Sequence, residues 1–151
     1  MNILVSACLL GTNCKYNGGN NLDPRVLELM KEHNVIPVCP EELGGLVTPR
    51  EPCEIQAGSG KDVLEGRSPV LNKKGEDVTE GFVKGAGETL ALARQHSCFL
   101  AVLKARSPSC GCGIIYDGTF SGRLKEGSGV TAQLLLDNEI VVMTETDFEK
   151  K

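Results

Sequence analysis

An α/β fold is predicted by three features of this 151-residue sequence: short apolar runs ending in turn-forming residues, amphipathic stretches of helical period between them, and an unbroken apolar segment, FLAVL, at 99–103. Short apolar runs bounded by Gly, Asn or Pro read as strands, and a run without polar alternation reads as a strand covered on both faces of a parallel sheet. Helices between such strands form crossovers that pack on both faces of the sheet. The expectation is a three-layer sandwich with a mostly parallel central sheet of four or five strands, Rossmann-like, in a single domain spanning residues 1–151. No internal repeat or low-complexity tract interrupts it.

The elements follow in order. Residues 2–6 (NILVS) form a strand that ends just before Cys8, and a Gly/Asn-rich loop covers 11–21. Asp23 is a suitable N-cap for a helix opening at Pro24, with Val26, Leu27, Met30 and His33 at helical spacing and Asn34 as its stop. Residues 35–38 form a second strand, ending at Cys39. The stretch 40–66 reads as long and irregular, and such a loop inside a compact domain is functional rather than a linker. Residues 68–71 read as a short strand or hairpin arm. Thr79 caps the next helix, which carries Phe82, Val83, Ala86, Leu90 and Ala93 and runs to about His96. The strand 99–103 leads into Lys104 and SPSCGCG. Residues 114–116 read as a strand or hairpin arm, followed by turn signals at Asp117-Gly118 and Ser121-Gly122. A third helix covers 130–136, a last strand 140–143, and a polar, frayed tail 146–151.

Composition narrows the function. No apolar run approaches the length of a membrane span. The opening MNILVSACLLG has no basic n-region and reads as a strand rather than a signal peptide, so a cytoplasmic location is expected. Seven cysteines, an odd count without a secretion signal, favour metal or redox chemistry over a disulfide framework. A net charge of −4 argues against an extended nucleic-acid surface. With Trp absent and aromatics at 4%, no base-stacking platform is evident. No GxGxxG, Walker loop or Ser-His-Asp pattern supports a nicotinamide, ATP or hydrolase reading.

Three of the cysteines, Cys8, Cys39 and Cys110, lie at apolar-to-glycine junctions just after predicted strands. Strand ends at one edge of a parallel sheet converge, so three distant thiols can meet at one place with a coordination position left over. The paired C-x2-C units of common structural zinc sites are absent. Soft thiolates at dispersed positions suit an iron–sulfur site, zinc or copper. The competing reading is burial, since free cysteine is among the most buried residue types. Cys98 reads as packing; Cys14 and Cys53 stay open, and Cys112 is either a spectator or a redox partner of Cys110. His33 and His96 read as helix C-terminal residues that interact with the dipole.

The motifs SACLLG, VCPEELGGLVTPREPCEI, DVTEGFVKGA, LKARSPSCG, IYDGTFSG and GVTAQLL, in this order from Asn2 to about Glu145, resemble those of the thiouracil desulfidase family, a small bacterial and archaeal domain. The resemblance implies a 4Fe-4S cluster on three cysteines, which fall on Cys8, Cys39 and Cys110, with one iron free to bind a thiocarbonyl sulfur. It implies an assisting acid and serine, best matched by Glu41 and Ser107, with Glu42 and Ser109 as neighbours. Ser109, Lys104 and Arg50 are the expected substrate-binding groups around an anionic site. The implied reaction turns C=S into C=O on 2-thiouracil or a similar small-molecule thiolated nucleobase, by addition of water and loss of sulfide. Cys53 and Cys112 depart from the family pattern, so Cys112 is an alternative to Cys110 as ligand. Glu41 read alone is a helix N-terminal charge or solvated loop residue, and Ser107 read alone is a turn former before Pro108. The competing functions are sulfur transfer to tRNA, a non-catalytic zinc-binding module, and thiol redox chemistry at Cys110 and Cys112.

Overall fold

The computed structural model describes residues 1–148. In chain order its elements are β1 (Asn2–Ser6), α1 (Pro24–Leu27), β2 (Asn34–Val38), α2 (Pro40–Leu43), β3 (Cys53–Ile55), α3 (Gly60–Leu64), β4 (Val70–Asn72), α4 (Thr79–Gln95), β5 (Leu100–Leu103), β6 (Ile114–Tyr116), β7 (Leu124–Glu126), α5 (Val130–Asp137) and β8 (Val141–Thr144). Single 3-10 turns cover Ala7–Leu10, Glu28–Lys31 and Glu145–Phe148.

The central sheet has the order β2-β1-β5-β8 and is parallel at every pairing. The two inner strands, β1 and β5, are the apolar ones: Leu4, Val5, Ala101, Val102 and Leu103 are all fully buried. Successive strand side chains point to opposite faces. Leu4, Val38, Ala101 and Leu103 pack with Leu90 and Ala93 of α4 and Leu135 of α5. Ile3, Val5 and Val102 pack on the other face with Leu9 and with Val26 of α1. The predicted three-layer α/β sandwich is therefore the observed one. A further cluster, centred on Phe82 with Ile55, Val63, Val70 and Ile115, seats the β3–β4 hairpin and α3 against α4.

The structure corrects the element readings in four places. The stretch 40–66 is ordered: it holds α2, β3 and α3. Pro40 opens α2 after the extended Cys39, a start signal followed by too few residues to show a period. β3 is defined only by pairing with β4, with Glu54 opposite Leu71. Ser59 and Asp62 form a capping box at α3, in which the Ser59 amide donates to Asp62 Oδ2 at 2.8 Å. Second, the α4 start is capped by Asp77, whose Oδ1 accepts from the Thr79 amide at 2.9 Å, while Thr79 Oγ1 accepts from the Val70 amide. Third, the first helix is only one turn of α before it tightens into the 3-10 turn at Glu28–Lys31. Fourth, the expected frayed tail is partly built into the fold. Asp147 Oδ2 accepts from the Thr144 amide at 2.8 Å, and Phe148 packs against the sheet. Residues 149–151 of that tail lie outside the described residues. No helix among the described residues is long and apolar enough to cross a membrane.

α2 lies directly on the backbone of α4, and glycine permits it. A Cβ at Gly85 would collide with the Pro40 carbonyl, and one at Gly44 with the Gly81 carbonyl. Gly87, one turn face away, has nothing within 4 Å of an added Cβ. Gly87→Ala is expected to stabilise the protein by ~0.5–1 kcal/mol through helix propensity. Gly85→Ala carries the same propensity gain and is nonetheless expected to destabilise by about 1–3 kcal/mol, because α2 must move away. Urea unfolding midpoints of the two variants check this, and equal shifts would remove the close contact as a constraint.

Candidate active site

All parallel strands deliver their C-terminal ends to one edge, where open α/β sheets place their ligands. Cys8 follows β1 in the first 3-10 turn, Cys39 follows β2 as the N-cap of α2, and Cys110 lies in the loop after β5. All three line one cavity of about 380 Å³. Cys14 and Cys53 line it too, so five of the seven cysteines meet there. Its volume lies at the low end of small-molecule pockets and suits a single ring better than a macromolecule.

Each thiol has a distinct environment. Cys14 is buried and hydrogen-bonds with both Cys39 and Cys8, which pushes its own thiol far up. The same contacts favour ionisation of the two neighbours. The Cys14 hydrogen bond, helped by Asn21 and Lys104 against burial, brings Cys8 down to about 7. Cys39 is lowered first by Cys14 and then by the Glu42 amide and the Arg50 charge. Cys110 is held by burial up at about 12, with only partial relief from the Ser109 and Ser6 hydroxyls, each 3.6 Å from its sulfur. Burial and the Glu41 charge push Cys53 up to about 12.

A polar chain runs beside the thiols. Arg50 Nε donates to Glu41 Oε1 at 3.0 Å, and both side chains are largely buried. Ser109 Oγ donates to Glu41 Oε2 at 2.9 Å. The hydroxyl has one proton, and the charge-assisted bond to the carboxylate holds it more strongly than the longer contact to Cys110 Sγ does. Ser107 Oγ lies 3.4 Å from Ser109 Oγ and accepts from the Cys110 amide at 2.8 Å, the turn-forming role that its sequence position suggests. The rest of the Arg50 guanidinium donates to the Val47 carbonyl, Thr48 Oγ1 and the Cys14 carbonyl. Lys104 Nζ donates to Glu145 Oε2 at 2.7 Å while still lining the cavity.

The structure brings Glu41, Arg50, Lys104, Ser107 and Ser109 to the lining of the cavity that Cys8, Cys39 and Cys110 share. Cys112 does not line it; its thiol points to the Val142 carbonyl at 3.8 Å, which gives it no shared site with Cys110. Cys98 is core packing, as expected. Three contributors escape the sequence reading. Ser6 donates to the Cys110 thiol and accepts from the Lys104 amide. Cys14 joins the thiols, though it lies in a polar loop. Glu54, buried on the cavity wall, accepts from the Gly118 and Phe120 amides at 2.9 and 3.1 Å. For Glu54, a carboxylate inside an otherwise apolar CEI strand is the signal that was present.

The family described as 2-thiouracil desulfurase matches residues 3–147, nearly the whole chain. The chain belongs to that family. A curated relative, uncharacterized protein YbbK of Bacillus subtilis (strain 168), is 48% identical over 145 residues, which is 96% of each chain. The solved structure of the [4Fe-4S]-dependent thiouracil desulfidase TudS superposes with a TM-score of 0.85 at 37% identity, over 99% of this chain and 93% of that one. The match confirms the resemblance drawn from the sequence motifs, and the desulfurase fold of TudS is the fold seen here.

Five thiols line the cavity, soft donors of the kind that hold iron–sulfur clusters. A cluster of several irons takes its thiolates at separate corners, which suits cysteines spread around a cavity wall. Of the cavity thiols Cys39 and Cys8 are the ones shifted toward ionisation, Cys8 to about 7. In cluster-free protein alkylation of Cys8 by iodoacetamide is expected to rise through a midpoint near pH 7 and to fall about tenfold per unit below it, as the thiolate is protonated. Cys53 and Cys110, both near 12, should stay unmodified over the same range. Peptide mapping by mass spectrometry reads all three, and equal labelling of Cys8 and Cys110 at pH 7 would refute the assignment.

Proposed function

We propose that this protein is a desulfidase that converts the thiocarbonyl of a small thiolated nucleobase, 2-thiouracil or a close relative, to its oxo form, using a 4Fe-4S cluster held by Cys8, Cys39 and Cys110. The observation that carries the reading is the meeting, in one small cavity, of three cysteines from three strand ends with the Glu41–Ser109 pair. Family membership and the [4Fe-4S]-dependent thiouracil desulfidase TudS support it.

The bound cluster would supply an iron without a protein thiolate, a Lewis acid toward a soft thiocarbonyl sulfur. The chain's own residues do the rest. Cys8 and Cys39, both lowered, are ready to ligate as thiolates. Cys14 keeps its one proton and shares it between the Cys39 and Cys8 sulfurs, a contact of the kind that tunes a metal site. Arg50 holds Glu41 through Oε1, leaving Oε2 and the Ser109 hydroxyl to handle protons. Glu41 Oε2 accepts a proton of the water that adds to the thiocarbonyl carbon, Ser109 relays that proton to the departing sulfur, and the added hydroxyl gives its remaining proton to Glu41 as C=O forms and hydrosulfide leaves. In this scheme Arg50 positions Glu41. Lys104, fixed by Glu145, places a cation beside the anionic centre, and Ser107 shapes the turn that presents Ser109 and Cys110.

Purification without oxygen should give a brown protein that carries iron and sulfide and releases uracil and sulfide from 2-thiouracil. Serine at Cys8, Cys39 or Cys110 should lose iron and colour. Glu41→Gln should keep the cluster spectrum and lose about 100-fold or more in kcat. A colourless protein that resists reconstitution with iron and sulfide, or a Glu41→Gln variant with full turnover, would overturn the proposal.

A further inference from the structure

The chain has two tyrosines and no tryptophan, and both tyrosines line the same cavity; none of the four phenylalanines does. They come from segments distant in sequence, and each is pinned by main-chain bonds to the site. The Tyr16 carbonyl accepts from the Arg50 amide at 2.7 Å, so the loop carrying Tyr16 is tied to the residue that holds Glu41. The Tyr116 amide donates to the Arg106 carbonyl, next to Ser107, and the loop beyond it is clamped by the buried Glu54 carboxylate on the Gly118 and Phe120 amides. Lys15 Nζ lies over the Tyr16 ring, 5.9 Å from its centroid, and Lys15 lines the cavity as well. The remaining polar groups of the cavity are thiols, carboxylates, cations and hydroxyls suited to the edge of a heterocycle, whereas its faces need flat apolar surface.

We propose that Tyr16 and Tyr116 are stacking walls that hold a planar heterocycle, so that a flat conjugated ring, and not the thiocarbonyl alone, defines the substrate. This rests on the desulfidase reading above. The low aromatic content of the sequence hides it, because it matters where two rings stand and not how many there are. Stacking on an aromatic side chain is tolerant of ring identity and strong enough to change affinity about tenfold per contact. An acyclic thiocarbonyl such as thiourea gains nothing from such walls.

The test uses the anaerobically prepared holoenzyme. Equilibrium dialysis compares uracil with 5,6-dihydrouracil, which keeps the polar edge of uracil but has a puckered, unconjugated ring. Uracil is expected to bind about tenfold tighter to the wild type. Tyr16→Leu and Tyr116→Leu should each narrow that gap and raise KM for 2-thiouracil about tenfold, with kcat little changed. Tyr16→Phe and Tyr116→Phe should behave as wild type, and iron content confirms intact folding in all four. Equal binding of the two ligands by wild type overturns the proposal, even if a leucine variant fails to fold. So do leucine variants with unchanged Kd and KM, or phenylalanine variants as weak as leucine ones. If uracil prefers the wild type as expected but 2-thiouracil is never turned over, the reaction falls and the stacking walls stand. If turnover is present and the ligand preference is absent, the walls fall and the reaction stands.

Discussion

The all-parallel register of the central sheet is the constraint on which the site depends. β1, β2 and β5 run side by side in the same direction, so the chain must leave each of them at the same edge. Cys8, Cys39 and the loop bearing Cys110 begin where those strands stop. Nothing local in sequence links the three thiols; the hydrogen-bonded register does. It is held by fully buried residues on the two inner strands, so the edge that carries the chemistry stands on the best-packed part of the molecule.

Above that edge, the buried Arg50 guanidinium ties separate segments together. It joins α2 through Glu41, its own loop through Val47 and Thr48, and the Cys14 loop through a carbonyl. A buried arginine without these acceptors would be costly, and a buried Glu41 without the arginine equally so. The pair therefore fixes where the carboxylate stands. The close seat of α2 on the glycines of α4 fixes the same residue from behind. Ser109 is then presented to the carboxylate by the turn that Ser107 shapes. Two serines that look interchangeable in SPSCG are separated by geometry: one faces the carboxylate and the other holds the backbone.

The thiols divide in a similar way. Cys14 keeps its proton and hydrogen-bonds with Cys8 and Cys39, which makes those two better anions. Cys110 is buried and depends on Ser6 and Ser109 for what relief it has. Under the proposed cluster ligation, a bound metal would supply the positive charge that burial denies this thiol, as coordination deprotonates a thiol outright.

The sequence by itself determined the sheet, its long helix and the strand-end cysteines, because apolar runs and helical periods report burial, and burial is what a parallel sandwich imposes on its strands. The continuous FLAVL segment reads as a strand covered on both faces and NILVS as a short strand, and six motifs along the chain carried the family resemblance. Short elements were illegible for a physical reason. α2 and β3 are too brief to show a period, and β3 exists only through its pairing with residues well downstream. Tertiary structure alone decided which side chains share the cavity. Cys14 and Cys112 both flank candidate ligands, yet one enters the thiol cluster and the other turns to the Val142 carbonyl. Ser109 rather than Ser107 meets Glu41, and two tyrosines distant in sequence line one cavity. Such choices depend on the direction in which each loop leaves its strand, which long-range packing fixes and local sequence does not.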